Sequence, residues 1–302
     1  MKLYANLHLH STHSDGPYTP EELVSVAKKE GYKAVALSDH DTITGCKLVE
    51  AECKKQGMEY IFACEFTAKN PSVHIVALDF DPEYPEMKEY LRLMSERETH
   101  KTKTCFDWAV EAGGIQGITW EEVVDFNKGV TWLCNNHVFE AMKAKGLIRQ
   151  SEYMNFFDRN YRKQRGQVKN YIEQKSLKDM VALIHAAGGI AVWAHPNGLL
   201  HILPEVIAAG IDGIEVWHPD LNDREERRQA YELAVANDLY ISGGSDHSGL
   251  CGGYYDGFES EEALKNSPLY IPEMSAGTTE ELFREIKNRK KIDRTNLEFD
   301  PL

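Results

Sequence analysis

The chain has 302 residues, with 34 Lys and Arg against 48 Asp and Glu, a formal net charge of −14 and 42% hydrophobic residues. Those values exclude a disordered chain and a general affinity for DNA or RNA phosphates, while leaving room for one local basic patch that holds a small phosphate. No apolar run approaches the ~20 residues of a membrane span, the N-terminal MKLYANLHLHSTHSDG is too polar for a signal peptide, and Cys46, Cys53, Cys64, Cys105, Cys134 and Cys251 occur singly. A cytoplasmic protein with reduced thiols is expected.

Short β-branched runs at residues 2–8, 33–38, 59–64, 73–79, 189–194, 213–217 and 239–242 are predicted as strands. Helical patterns lie between them. Over residues 19–30, Thr19 is placed to cap, Pro20 suits the first turn, and Leu23, Val26 and Ala27 repeat on one face. Strands alternating with helices predict an α/β fold with parallel strands joined by crossover helices. Seven of them predict a closed or nearly closed barrel, with a doubly wound open sheet as the alternative.

The alternation stops between about His100 and Lys175. Helices are predicted there, at 138–145 and 153–160 among others, together with a basic run of Arg159, Arg162, Lys163, Arg165 and Lys169. The expected organisation is a barrel of residues 1–99 and 176–302 interrupted by a helical cap insertion, 100–175.

Polar residues recur at the strand ends. His8 and His10 lie two apart, so an extended strand points both to one face, with Leu3, Leu7 and Leu9 on the other. Strand two runs into Ser38-Asp39-His40-Asp41, strand three ends in Cys64-Glu65, and strand four contains His74. His195 follows strand five, and Asp246-His247-Ser248 follows strand seven. Each has a structural alternative alone: His74 as a core histidine, Glu65 paired with Lys69. Burying so many ionisable groups together without a counter-charge would cost several kcal/mol each. Two or three divalent cations resolve that cost, because they neutralise carboxylates and take neutral imidazoles as ligands. A ligand set of imidazole and carboxylate suits Mn²⁺, Zn²⁺ or Fe²⁺.

These motifs resemble the polymerase-and-histidinol-phosphatase (PHP) family of metal-dependent phosphoesterases. The matching residues are His8-x-His10 with Ser14-Asp15-Gly16, Ser38-Asp39-His40-Asp41-Thr42, Glu65, His74, Ala194-His195-Pro196, Gly213-Ile214-Glu215-Val216-Trp217-His218-Pro219 and Ser245-Asp246-His247. The resemblance implies a distorted (β/α)7 barrel with a helical insertion subdomain. It implies a first metal on His8, His10, Glu65 and Asp246, a second sharing Glu65 with His74 and His195, and a third near Asp15, His40 and His247. Relatives place the last histidine two residues after the aspartate, whereas here His247 follows Asp246 directly. The insertion resembles the cap of members acting on nucleotide-like phosphates, at Asn136-His137-Val138 and Arg165-Gly166-Gln167-Val168.

The expected reaction is hydrolysis of a small phosphate ester, a nucleotide-like mono- or bisphosphate or a cyclic phosphodiester, by a metal-bound hydroxide. His195, His247 or His218 would protonate the leaving oxygen. Asn136, His137, Arg162, Lys163 and Arg165 would hold substrate phosphate. No long nucleic acid and no membrane is expected as a partner. The alternatives are a metal-dependent amidohydrolase acting on a C–N bond, disfavoured by the absence of a lysine where strand four ends at Leu78-Asp79-Phe80, an accessory nuclease, and a metal-binding regulatory domain without turnover.

Overall fold

The computed structural model describes residues 3–16, 18–221, 223–246, 276–294 and 299. The chain first forms β1 (Ala5–Asn6), α1 (Pro20–Glu30), β2 (Ala34–Leu37), α2 (Cys46–Gln56), β3 (Glu59–Ala68) and β4 (Val73–Leu78). The helices α3 (Pro85–Glu111), α4 (Trp120–Phe126), α5 (Asn135–Ala144) and α6 (Tyr153–Asn160) follow. The alternation then resumes with α7 (Leu177–Ala186), β5 (Ile190–Trp193), α8 (Leu203–Ala208), β6 (Gly213–Trp217), α9 (Arg224–Ala236), β7 (Tyr240–Gly243) and α10 (Glu280–Asn288). At α1 the cap is as the sequence predicts. The Thr19 hydroxyl accepts the Glu22 amide, the Glu22 carboxylate accepts the Thr19 amide at 3.0 Å, and Pro20 stands at the first position.

The seven strands lie in sequence order, β1 to β7, in one sheet. A doubly wound sheet reverses its order at a switch point; here β7 instead returns to β1. The seam is irregular: Leu7 N–H donates to the Gly243 carbonyl at 3.1 Å and Asp246 N–H to the His8 carbonyl at 2.9 Å. The Asn6 amide bonds both the hydroxyl and the backbone N–H of Ser245. Gly244 permits this approach, since a Cβ there would lie 2.3 Å from the His8 backbone nitrogen.

The expected parallel order fails at β4, which pairs antiparallel with both β3 and β5. Only residues 69–72 separate β3 from β4, and a connection that short makes a hairpin, whereas a parallel return needs about a dozen residues or more. The start of β4 therefore lies at the face where the other strands end. His74 is at that mouth, and Asp79 is at the opposite face, where Arg289 pairs with it at 3.1 Å. The missing lysine after Leu78 thus concerns the wrong face and says nothing about C–N bond cleavage. Strand β3 also runs past its expected end at Cys64, because its second half, Ala63 to Ala68, is paired along its length by β4.

Inside the barrel lies a plug of small and branched side chains, including Ala34, Ala36, Ile61, Ala63, Val76, Ile190 and Val192, closed from below by Phe283 and Ile286 of α10. Helix α10 was not anticipated. Arg284 and Lys287 anchor it to Glu59, at 2.6 Å each. The expected alternation along β1 is also broken. Ala5 and Leu7 join the inner plug, while Leu3 and Leu9 pack under α1 and α2, and β1 itself has only two regular residues.

Helix α3 crosses the expected boundary at His100 without a break. Met87, Tyr90, Leu91 and Met94 pack on the barrel, and Cys105, Phe106 and Ala109 join a separate apolar cluster with Val138, Phe139, Tyr153, Phe156 and Tyr161. This helical lobe docks on the segment after β1. His137 donates from Nε2 to the Thr12 carbonyl at 3.1 Å and accepts the Cys134 amide at Nδ1. Asn136 donates to the Asp15 carbonyl at 3.1 Å, and its carbonyl accepts from Asn135 and the Tyr153 hydroxyl. Two of the five residues expected to hold phosphate, Asn136 and His137, are therefore engaged in docking the lobe. Arg162 is exposed, paired with Asp158 and stacked on Phe157, and Lys163 is exposed. Arg165 faces the buried Glu98 at 2.7 Å and donates to Asn135 at 3.2 Å.

Burial pushes the His137 imidazole down to about 4. An unfolded histidine takes up its proton near 6.5, so the stability due to neutral His137 is complete above that pH and lost on acidification, by up to about 3 kcal/mol at pH 4. Urea unfolding at pH 7 and pH 4 should therefore show wild type and His137→Gln converging at the lower pH. A stability gap of equal size at both pH values would contradict this placement.

Candidate metal centre

The segment after β1 is folded back by one carboxylate. Asp39 accepts the Ser11 amide, the Ser11 hydroxyl and the Ser14 hydroxyl, each at 2.7 Å. With both oxygens so occupied, Asp39 works as a clamp rather than a ligand, and it presents Asp15 to the mouth. There Asp15 lies 3.7 Å from both His10 Nδ1 and His40 Nε2. The sequence had marked Asp39 only as one charge in a run of three.

Glu65 is the centre of the mouth and is wholly removed from solvent. Its Oε2 is 3.2 Å from His8 Nε2, 3.3 Å from His10 Nε2 and 3.1 Å from His40 Nδ1. Its Oε1 is 2.9 Å from His74 Nδ1 and 3.0 Å from His195 Nε2. Asp246 closes the ring, with Oδ1 2.9 Å from His10 Nε2 and 3.6 Å from His8 Nε2. Despite three imidazole nitrogens within reach, Oε2 of Glu65 has no hydrogen-bond partner among the described residues. Nitrogen lone pairs converging on a buried oxygen without hydrogen-bond geometry are the arrangement of donors around a cation.

Three donor groups overlap here: His8, His10, Glu65 and Asp246; His40, Glu65 and His74; and His10, Asp15 and His40. A fourth combination, His8, Glu215 and His218, uses the other nitrogen of His8. It does not suit an ion, because His218 Nδ1 accepts the Asp220 amide at 3.1 Å, which leaves a proton on Nε2. That Nε2 faces Asp246 Oδ2 at 3.4 Å, and the ring is 2% exposed. His218 was expected to reach substrate; it lies behind Asp246 instead.

Electrostatics point the same way. Burial alone would raise the Glu65 carboxyl, but the imidazoles of His40, His8 and His74 outweigh it and hold the group well below the ordinary carboxylate range. Burial would depress His8, yet Glu215, Glu65 and Asp246 outweigh it and raise the imidazole well above its ordinary value. The site demands positive charge next to its carboxylates. Protons on the histidines can supply it, and so can cations that displace those protons. Cys64, beside Glu65, is a poor ligand: burial pushes its thiol well above the ordinary range.

The structure thus brings together His8, His10, Asp15, His40, Glu65, His74, His195 and Asp246. His247 lies outside the described residues. His13 stands apart, bonded to the Thr44 hydroxyl at 2.8 Å, and Lys69 pairs with Glu173 rather than with Glu65. Besides Asp39, two contributors were missed. Trp132 from the lobe lies parallel to His40 with ring centroids 5.9 Å apart, and Glu215 touches His8 from behind. Glu215 had a signal, a lone carboxylate within the apolar run Gly213–Trp217, but no assigned task.

No helix among the described residues is long and apolar enough to cross a membrane. The chain is 29% identical over 253 residues to a phosphoribosyl 1,2-cyclic phosphate 1,2-diphosphodiesterase from Eggerthella lenta, covering 82% of this chain and 95% of the relative. It is 30% identical to a 5'-3' exoribonuclease from Haemophilus influenzae (82% and 90% covered). It is 28% identical to a 3',5'-nucleoside bisphosphate phosphatase from Chromobacterium violaceum (80% and 86% covered). Among solved structures, one assigned as a metal-dependent phosphoesterase from Bifidobacterium adolescentis superposes with a TM-score of 0.74 at 26% identity, over 96% of this chain and 97% of that one. The PHP domain profile matches residues 6–191, more than half the chain and most of the residues gathered around Glu65. The chain belongs to the PHP domain family.

Proposed function

We propose that this protein is a metal-dependent phosphoesterase that hydrolyses a small phosphorylated compound, either a nucleotide-like bisphosphate or a cyclic phosphodiester. The observation that carries the reading is the Glu65 carboxylate, buried and faced by five imidazoles at 2.9–3.3 Å. Divalent ions held there, of manganese, zinc or iron, would neutralise phosphoryl oxygens and acidify water near neutral pH. Two to three of them fit the three overlapping donor groups.

In this reading Glu65 joins two ion sites. His8, His10 and Asp246 would complete one, and His40, His74 and His195 would hold the other. Asp15, with His10 and His40, offers a third, whose completion by His247 rests on the family resemblance alone. Of the imidazoles expected to deliver a proton to the leaving oxygen, His195 has 22% side-chain exposure but turns its Nε2 to Glu65, where it would serve as an ion donor, and His247 lies outside the described residues. His218 lies behind Asp246, with Nε2 3.4 Å from Oδ2. The net charge of −14 favours a small substrate over long nucleic acid. Similarity to an exoribonuclease nevertheless puts a short oligoribonucleotide among the compounds to be tried.

The test is phosphate or phosphomonoester formation from a panel of nucleoside bisphosphates, cyclic phosphodiesters, sugar phosphates and a short oligoribonucleotide, with Mn²⁺ added. Glu65→Gln keeps the shape and removes the shared charge, so turnover should fall by at least ~100-fold with loss of bound metal. Normal turnover in that variant would sink the bridging role. Protein that binds metal but turns over nothing in the panel would favour the amidohydrolase or the non-catalytic reading.

Of the three basic members of the expected phosphate grip, Arg165 is the one held against a buried carboxylate, Glu98, on the helix that runs from barrel to lobe. Arg165→Lys keeps the charge beside Glu98 but loses the planar fork, and should lower kcat/KM for a bisphosphate by roughly tenfold. A chromogenic monoester without a second anion should be cleaved as before. Arg162→Ala and Lys163→Ala should change that ratio less than about threefold, since both side chains project from the lobe surface. Equal ratios in all three variants would remove Arg165 from substrate recognition.

A further inference from the structure

The carboxylate of Glu215 is used by no step above, yet it is completely buried. Its only charge-bearing neighbours among the described residues are histidines. Oε1 lies 2.8 Å from His8 Nδ1, Oε2 accepts the backbone N–H of His195 at 2.8 Å, and His218 Nε2 is 4.0 Å away. A fold gains nothing from such a group as an ion pair, because desolvating it costs several kcal/mol that a hydrophobic side chain of similar size would avoid.

The topology explains its reach. Strand β6 lies between β5, which leads to His195, and β7, beyond which lies β1. The residue paired with Glu215 on β7 is Ser242, small enough to let the longer side chain extend across it toward His8. One carboxylate therefore touches residues that lead out of two different strands, on opposite sides of its own.

Both contacts bear on geometry. A proton on His8 Nδ1, donated to Glu215, leaves the lone pair on Nε2, and Nε2 is the atom 3.2 Å from Glu65 Oε2. His195 has φ +29°, a backbone conformation in which residues other than glycine are uncommon, and the Glu215 contact to its amide is one that helps to hold it there. In that conformation its Nε2 reaches Glu65 Oε1.

We propose that Glu215 is a positioning residue that sets two of the donors around Glu65 at once, fixing the tautomer of His8 and the backbone of His195. The inference rests on the metal-centre reading above and goes beyond it. A glutamine cannot replace this carboxylate, because its amide offers one acceptor oxygen where two donors converge. Aspartate retains two acceptors on a shorter stem.

The experiment is zinc affinity by competition with a chromogenic chelator, for wild type, Glu215→Gln and Glu215→Asp, alongside the thermal midpoint of each metal-free protein. Glu215→Gln should bind zinc 10- to 100-fold more weakly, the usual consequence of losing a partner behind a metal-binding histidine. Its metal-free midpoint should remain near that of wild type, and Glu215→Asp should recover part of the affinity. Should neither variant fold, nitrogen-15 NMR of the zinc-loaded wild type decides: His8 must carry its proton on Nδ1, and a proton on Nε2 overturns the proposal. Zinc affinity of Glu215→Gln within threefold of wild type overturns it also. Wild-type protein that binds no zinc overturns both this inference and the metal-centre reading, whereas wild type and Glu215→Gln binding alike overturn this one alone.

Discussion

A carboxylate withdrawn from water must be balanced by positive charge, and around Glu65 the described residues supply only imidazoles. Everything else at the mouth follows from that requirement. Neutral imidazoles alone would leave the buried negative charge uncompensated, at a cost of several kcal/mol. Fully protonated ones would crowd like charges: the rings of His10 and His40 are stacked with centroids 4.6 Å apart. Divalent ions relieve both problems, since they bring charge between the groups and use the nitrogen lone pairs as donors. The same ions confer the chemistry expected of a phosphoesterase, so stability and function draw on one interaction.

The barrel supplies the convergence. Sequential strands put successive strand ends around one rim, and the reversal of β4 brings His74, near the start of its strand, to the rim where the others finish. The lower part of the barrel is filled with small apolar side chains and closed by α10, so the surroundings beneath Glu65 are apolar. The lobe then docks through His137 and Asn136 onto the segment that carries Asp15. It thereby couples the position of one candidate ligand to a helical subdomain built on its own apolar cluster.

Much of this was legible in the sequence for a physical reason. An apolar β-branched run followed by histidine or aspartate marks the end of a buried strand, and the recurrence of that pattern located the rim before any coordinates did. What was not legible depends on pairing. The direction of β4 is set by a short connection and by its neighbours, and nothing in Val73–Leu78 itself reveals it. The loss of alternation along β1 accompanies an irregular seam with residues 243–246, far away in the chain. Asn136 and His137 looked like polar groups available to substrate, and only the docking of the lobe shows that neighbouring backbone and side-chain atoms occupy them. Glu215 was visible as a polar residue in an apolar strand, but its two partners lie on other elements.

The central claim is that the Glu65 carboxylate is shared by metal ions. Crystals grown with zinc, measured on both sides of the zinc absorption edge, address it directly. The account predicts at least two anomalous peaks, each about 2.0–2.2 Å from an oxygen of Glu65, with imidazole nitrogens of the surrounding histidines at similar distances. An anomalous map with no peak within about 4 Å of that carboxylate, and histidine rings turned to donate hydrogen bonds to it, would contradict the account.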